Sequence, residues 1–171
     1  MKQMTLAAAA AFIAISGTAM ADDSWTGPYA GLNVSAGTFN GNTLALADRD
    51  VTEFGVHFGY QHDFGALVLG VEAQIDRVDG FLTTAGDAKT IKLRAGYDMG
   101  KFQPYAILAS RDVDDNNGNA VDGMGIGLGV EYKMRNNLRL GGEFMSFQDL
   151  DDGAAINAES KIFSMRLTYG F

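Results

Sequence analysis

The chain has 171 residues, 13 of them basic and 21 acidic, for a net charge of −8, and it has no cysteine. The acidic balance argues against nucleic acid as a partner, and the lack of cysteine excludes disulfides, thiolate chemistry and thiolate-held metals. With 22 glycines, only 2 prolines and no collagen-like period, the glycines must sit inside regular structure or turns.

At the start of the chain, Lys2 precedes an uncharged apolar stretch from Leu6 to Ile15, and Ala19-Met20-Ala21 forms an A-x-A cleavage signature before Asp22. These are the parts of a Sec-type export signal, and the apolar stretch is shorter than the ~20 residues a spanning helix needs. Residues 1–21 are read as a signal peptide and 22–171 as one exported domain. No later apolar run reaches helix-spanning length. An exported chain with 47% hydrophobic residues is then either soluble or a membrane barrel.

Period-two alternation recurs eight times. The first strand sets Ala30, Leu32, Val34 and Ala36 against Gly31, Asn33, Ser35 and Gly37. A polar loop from Phe39 to Val51 follows. The second strand sets Phe54, Val56, Phe58 and Tyr60 against Glu53, Gly55, His57 and Gly59, and a short turn separates it from the third, with Leu67, Leu69, Val71, Ala73 and Ile75 on one face. A loop is expected from Asp76 to Ala88. The fourth strand has Ile91, Leu93, Ala95 and Tyr97 against Lys92, Arg94 and Gly96. The fifth, Phe102 to Ser110, is equally apolar on both faces and contains Pro104, so its orientation stays open. After a loop from Arg111 to Val121, the sixth strand sets Met124, Ile126, Leu128, Val130 and Tyr132 against Gly123, Gly125, Gly127, Gly129 and Glu131. The seventh carries Leu138, Leu140 and Phe144 against Arg139, Gly141, Glu143 and Met145. A loop from Gln148 to Glu159 leads to the last strand, with Phe163, Met165, Leu167, Tyr169 and Phe171 on one face and Ser164, Arg166, Thr168 and Gly170 on the other.

Two stretches carry a resemblance. The opening Trp25-Thr26-Gly27-x-Tyr29-x-Gly31-Leu32-Asn33 resembles the first strand of the porin-family outer-membrane β-barrels, small eight-stranded proteins of Gram-negative bacteria of the outer-membrane protein A/X type. Pro28 stands where that family more often has an aromatic or apolar residue, and proline is tolerated at a strand start. The aromatic last strand resembles the terminal signature of the same barrels. The resemblance implies that Phe163, Met165, Leu167, Tyr169 and Phe171 form the signal read by the barrel assembly machinery.

The turns alternate short and long, as periplasmic turns and extracellular loops do in such barrels. Tyr60, Tyr97, Tyr132 and Tyr169 each end an even strand, at separations of 37, 35 and 37 residues, which predicts a ring of phenols at the periplasmic interface. The polar faces are rich in glycine and the apolar faces of the assigned strands carry no charge. A soluble barrel would favour β-branched and charged residues on its wet face, whereas a narrow lumen needs small residues beside long ones. The fold expected is an all-β, eight-stranded antiparallel up-and-down transmembrane barrel in the outer membrane.

Without residues 1–21 the net charge is −9, and all of it falls in the four long loops, where Arg49, Arg77 and Arg111 stand against twelve acids. Facing the lumen, Lys92, Arg94, Arg139 and Arg166 stand against Glu53, Glu72, Glu131 and Glu143. Charges at that density should pair, giving an ion-pair plug. Read otherwise, Glu53 with Glu72 or Glu131 with Glu143 would be an acid/base pair, but the facing cations favour salt bridges. His57 has no serine near it in sequence. The stretch Asp112 to Asn119 resembles a calcium loop but has neither glycine at its sixth position nor an acid at its twelfth, Gly123. No catalytic residue, metal site or cofactor is assigned.

The function expected is structural or surface interaction, meaning envelope integrity and binding through the loops. The partners expected are outer-membrane lipid, lipopolysaccharide, the assembly machinery and an unidentified extracellular ligand. A narrow channel for ions or small solutes is the alternative, and a lipid-modifying enzyme stands third.

Overall fold

A computed structural model describes residues 25–40, 49–79, 86–114, 120–135, 137–149 and 159–171. The expected leader and the stretch Asp115 to Asn119 lie outside them. The described chain forms eight strands, β1 (Gly27–Asn40), β2 (Arg49–Asp63), β3 (Leu67–Asp79), β4 (Gly86–Tyr97), β5 (Phe102–Asp114), β6 (Ala120–Arg135), β7 (Leu138–Asp149) and β8 (Glu159–Gly170). Every strand pairs antiparallel with its sequence neighbours, and β1 pairs with β8 from Tyr29↔Gly170 to Asn40↔Glu159, closing the barrel.

The strands run further than apolar alternation alone marks. Phe39 pairs with Arg49, Arg77 with Asp87 and Val113 with Val121, all within stretches expected as loops. Backbone pairing continues past the apolar band because the ladder needs only N–H and C=O groups, whereas the sequence signal disappears where both faces turn polar. Two hairpin turns share one device. Asp63 Oδ1 accepts from Gly65 N and Asp98 Oδ1 from Gly100 N, both at 2.7 Å, and the glycines sit at φ 100° and 75°, where a side chain would be strained.

The distribution of side chains is inverted relative to a water-soluble domain. Among the described residues, thirty large hydrophobics are exposed and twelve hydrophobics are buried. The exposed set belts the barrel, with Ile126 at 68% and Leu128 at 69% exposure. A contiguous belt on that scale marks a lipid-facing surface. On β5 the outward set is Phe102, Pro104, Ala106 and Leu108, and Gln103, Tyr105, Ile107 and Ala109 face in. That settles the strand whose sequence left both faces open.

Lumenal glycines make room for long neighbours. A Cβ on Gly129 would stand 2.4 Å from the Tyr105 ring, and one on Gly31 would stand 2.2 Å from Leu167 O, across the β1–β8 seam, and 2.5 Å from His57. On the outward face of β7, by contrast, a Cβ on Gly142 would meet nothing closer than 3.8 Å. Gly31→Ala is therefore expected to lower stability by roughly 1–3 kcal/mol in urea unfolding from lipid, while Gly142→Ala leaves the midpoint in place. Equal midpoints for the two variants would contradict the crowded seam.

Candidate functional site

The lumen is the only place where the fold gathers charge away from water among the described residues. Alternation aims one residue in two inward, and eight strands enclose a space that side chains can fill. Five cations (Lys92, Arg94, Arg111, Arg139, Arg166) and five carboxylates (Glu53, Glu72, Asp76, Glu131, Glu143) are buried there, so the described lumen is neutral.

The centre is a network around Arg166 and Glu72. Arg166 Nη2 lies 2.5 Å from Glu72 Oε2, and its Nη1 donates to Glu72 Oε1 at 2.9 Å and to Glu143. Lys92 Nζ lies 2.5 Å from Glu143 Oε2 and 3.2 Å from Glu72 Oε1, and it also donates to Gln74 Oε1 at 2.6 Å. Arg94 bridges Glu72 and Glu131, each at 3.1 Å, with its guanidinium 3.8 Å from the Tyr105 ring centroid. Two phenols complete the carboxylates' shells. Tyr29 Oη donates to Glu72 Oε2 at 3.0 Å, and Tyr105 Oη donates to Glu143 Oε1 at 2.9 Å. His57 Nε2 is 3.0 Å from Thr168 Oγ1 and joins no carboxylate.

Glu53 stands apart from this network. Its partner is Arg111, at 2.5 Å, a residue the sequence assigns to a loop. Asp76, also expected in a loop, is fully buried and accepts from Asn33 Nδ2 at 2.6 Å and Gln74 Nε2 at 2.7 Å. The correction has one cause. β3 and β5 continue beyond the apolar belt, so charges that resemble solvated loop residues in sequence turn inward instead. Asp112 and Asp114 keep an outward, exposed position, and Asp114 meets Lys89 at 3.1 Å.

Toward the loop end the lumen changes character. Ile107, Ala109, Met145, Phe147 and Ile162 pack with Tyr105 in an apolar cluster, and Val51, Val78 and Ala88 form a second. Between the cluster and the charges lies a cavity of about 10 Å³, lined by Glu53, Gln74, Thr90, Lys92, Arg111 and Ser164 on its polar side. That volume is at the lower limit for a single water.

The turn end is closed by Trp25, a residue with no exposed surface. Trp25, through its main chain and its indole together, reaches all three hairpins. Its backbone oxygen accepts from Gln61 Nε2 at 2.7 Å, its Nε1 donates to Asp98 Oδ1 at 2.9 Å, and Lys133 and Arg139 stand 4.3 and 4.9 Å from its ring. Sequence reasoning uses Trp25 only as part of a motif. Its inward position follows from parity, because 25, 27, 29 and 31 share one face of the first strand. Tyr60, Tyr97, Tyr132 and Tyr169 lie on the outward face at the turn end, and Phe163, Met165, Leu167 and Phe171 also face outward on or beside β8.

The profile of the outer membrane protein beta-barrel domain family matches residues 7–171. No curated protein matches the chain at the sequence level. Among solved structures, the fold is similar to Neisserial surface protein A, at 18% identity and a TM-score of 0.58, over 85% of this chain and 98% of that one. Weaker likenesses are to the N-terminal barrel of Pseudomonas aeruginosa OprF (11% identity, TM-score 0.49, 81% and 97% of the two chains) and to Ail of Yersinia pestis (12%, 0.47, 84% and 99%).

Two measurements probe the lumen. Arg166→Ala takes from buried Glu72 and Glu143 a cation they share, leaving the described lumen one positive charge short, and is expected to cost about 3–5 kcal/mol in urea unfolding. Arg139→Ala should cost less, since Arg139 Nη1 is 3.8 Å from Glu131 Oε2. Trp25 is the sole tryptophan, so the folded protein should show blue-shifted emission protected from acrylamide, and Asp98→Ala should raise the quenching with the fold intact. A Trp25 as accessible in the folded barrel as in urea would rule out the closed mouth.

Proposed function

The chain belongs to the outer membrane protein β-barrel domain family, and from that premise we propose a sealed barrel that acts through its surfaces rather than its lumen. It is an integral β-barrel of the outer membrane. Its role in this reading is structural support of the envelope and binding through the extracellular loops. The observation that carries the reading is the neutral charge network filling the lumen, with an indole below it and apolar side chains above. A conducting path would have to break buried ion pairs, and a one-sided loss leaves a desolvated charge costing several kcal/mol.

The same packing supports a non-catalytic role. Glu72 and Glu143 are engaged by cations and phenols, and His57 lies beside a threonine rather than an activated nucleophile. At the outer rim, Arg77 and Lys161 are exposed one outward step beyond lipid-facing Ile75 and Phe163. That depth suits the phosphates of lipopolysaccharide. We also propose that residues 1–21 direct export and that the β8 face from Phe163 to Phe171 engages the assembly machinery.

Single-channel recording of the refolded chain lacking residues 1–21 tests the proposal, once a gel shift on boiling has established the fold. A silent bilayer is the expected result. Steady conductance steps that persist after the loops are shortened would mean an open lumen, and the channel reading would replace this one.

A further inference from the structure

The turn end of the barrel is not the same all the way round. Below the tyrosine ring, Phe64, Met99, Met134 and Phe171 form a second tier of exposed apolar side chains. The length of the belt brings this tier into the membrane. From Met124 to Met134 is ten strand steps, roughly 33 Å along the strand and about 25 Å along the normal at a ~40° tilt, which matches a barrel's apolar band. Stopping at the tyrosines leaves β8 with only six steps, from Phe163 to Tyr169, or about 15 Å.

On the β4–β6 side this second tier is joined to cations. Tyr97, Met99, Phe102, Tyr132 and Met134 make a continuous outward apolar floor, in which the Phe102 and Tyr132 rings stand 4.8 Å apart. Lys101 and Arg135 are exposed at its lower edge, and Lys133 N donates to Lys101 O at 2.8 Å, holding the β4–β5 turn against the end of β6. The β6–β7 register shifts between Lys133 and Arg135, and such a bulge re-aims side chains. Among the described residues neither Lys101 nor Arg135 meets a carboxylate. The turn's own acid, Asp98, is held by Gly100 N and the Trp25 indole. The β2–β3 turn, residues 64–66, and the end of β2 leading into it from Gln61 have no lysine or arginine.

We propose that this patch binds an anionic glycerophospholipid of the periplasmic leaflet, with an acyl chain along the aromatic and methionine floor and the phosphate between Lys101 and Arg135. Two features select that occupant. The floor is continuous with the lipid-facing belt, and its lower edge carries positive charge at headgroup depth, where each cation favours anionic lipid. A zwitterionic lipid would fill the floor equally well and leave the two cations without a net partner.

The test is fluorescence quenching of refolded barrels in phosphatidylcholine vesicles doped with acyl-brominated phosphatidylglycerol or acyl-brominated phosphatidylcholine. Tyr132→Trp reports the patch, and Tyr60→Trp reports the same depth on β2 across the barrel. Trp25 gives a common background in both. At Tyr132→Trp the brominated anionic lipid should quench several-fold more effectively than the zwitterionic one, and at Tyr60→Trp the two should be equal. The Lys101→Gln, Arg135→Gln pair should abolish the preference with the gel shift on boiling intact, and millimolar inorganic phosphate should leave it unchanged. Equal quenching by both lipids at Tyr132→Trp overturns the proposal, as does a preference that survives the double substitution. Loss of the preference on adding phosphate would make the patch a phosphate site and not a lipid site. Phe102→Trp serves as the reporter if Tyr132→Trp does not fold. A conducting barrel with this lipid preference would remove only the sealed-lumen reading, and a silent barrel without it would remove only the lipid site.

Discussion

The structure depends on a single constraint, that charge enclosed by eight strands must be neutralised within a few ångströms. In bulk water an ion pair at 3 Å is worth little. Away from water each ion loses its hydration, and only close, hydrogen-bonded partners restore it. Among the described residues the lumen meets this with equal numbers of buried cations and carboxylates and with two phenols that donate to Glu72 and Glu143. The glycines follow from the same constraint. Arginine and glutamate side chains must cross the lumen to meet, and the positions they cross over cannot also carry a Cβ. Gly129 beneath the Tyr105 ring and Gly141 beside Glu131 are where that space is made.

The functional reading follows from how the lumen is filled. A network of this kind is stable only if water cannot enter and separate its members. Trp25 at one end and the Met145, Phe147 and Ile162 cluster at the other are therefore part of the electrostatics as much as of the packing. In the proposed reading the interior is committed to holding itself together, and recognition is left to the loops, the rims and the belt. Arg77 and Lys161 at one rim, and Lys101 and Arg135 at the other, are the exposed cations that the proposed lipid contacts use.

Much of the fold is legible in the sequence because a membrane barrel writes its two faces as alternating letters. Leu93 and Arg94, or Leu167 and Arg166, have opposite solvents, and the chemistry of each states which. The site was legible wherever a charge sat inside such an alternating run, as Glu72, Lys92, Arg94 and Arg166 do. It was hidden where the run stopped. Asp76 and Arg111 lie beyond the last clear apolar partner, and a charge next to polar residues reads as solvated whether it faces water or the lumen. Tyr29, Tyr105 and Trp25 were hidden for the opposite reason. Aromatic residues suit lipid, interface and interior equally, so only strand parity places them. The apolar cluster at the loop end contradicts the simple rule that the inner face is polar. There the two faces are both apolar, and alternation carries no information.

β5 brings these points together. Ile107 and Ala109 point in and Ala106 and Leu108 point out, so hydrophobicity alone would accept the strand in either orientation. A slip of one residue would exchange the faces at almost no cost in apolar burial. What such a slip would do is carry Tyr105 away from Glu143 and Arg111 away from Glu53, taking a phenol from one buried carboxylate and stranding the other. The polar residues near the two ends of β5 therefore fix an orientation that its middle cannot. The same reasoning accounts for a charged interior in a barrel whose exterior is already apolar. An interior of leucine and valine would avoid the desolvation of ten charges, but it would leave every strand as ambiguous as the middle of β5. Buried ion pairs are a weak source of stability and a strong source of register, and here they supply the inside–outside distinction on which membrane insertion depends.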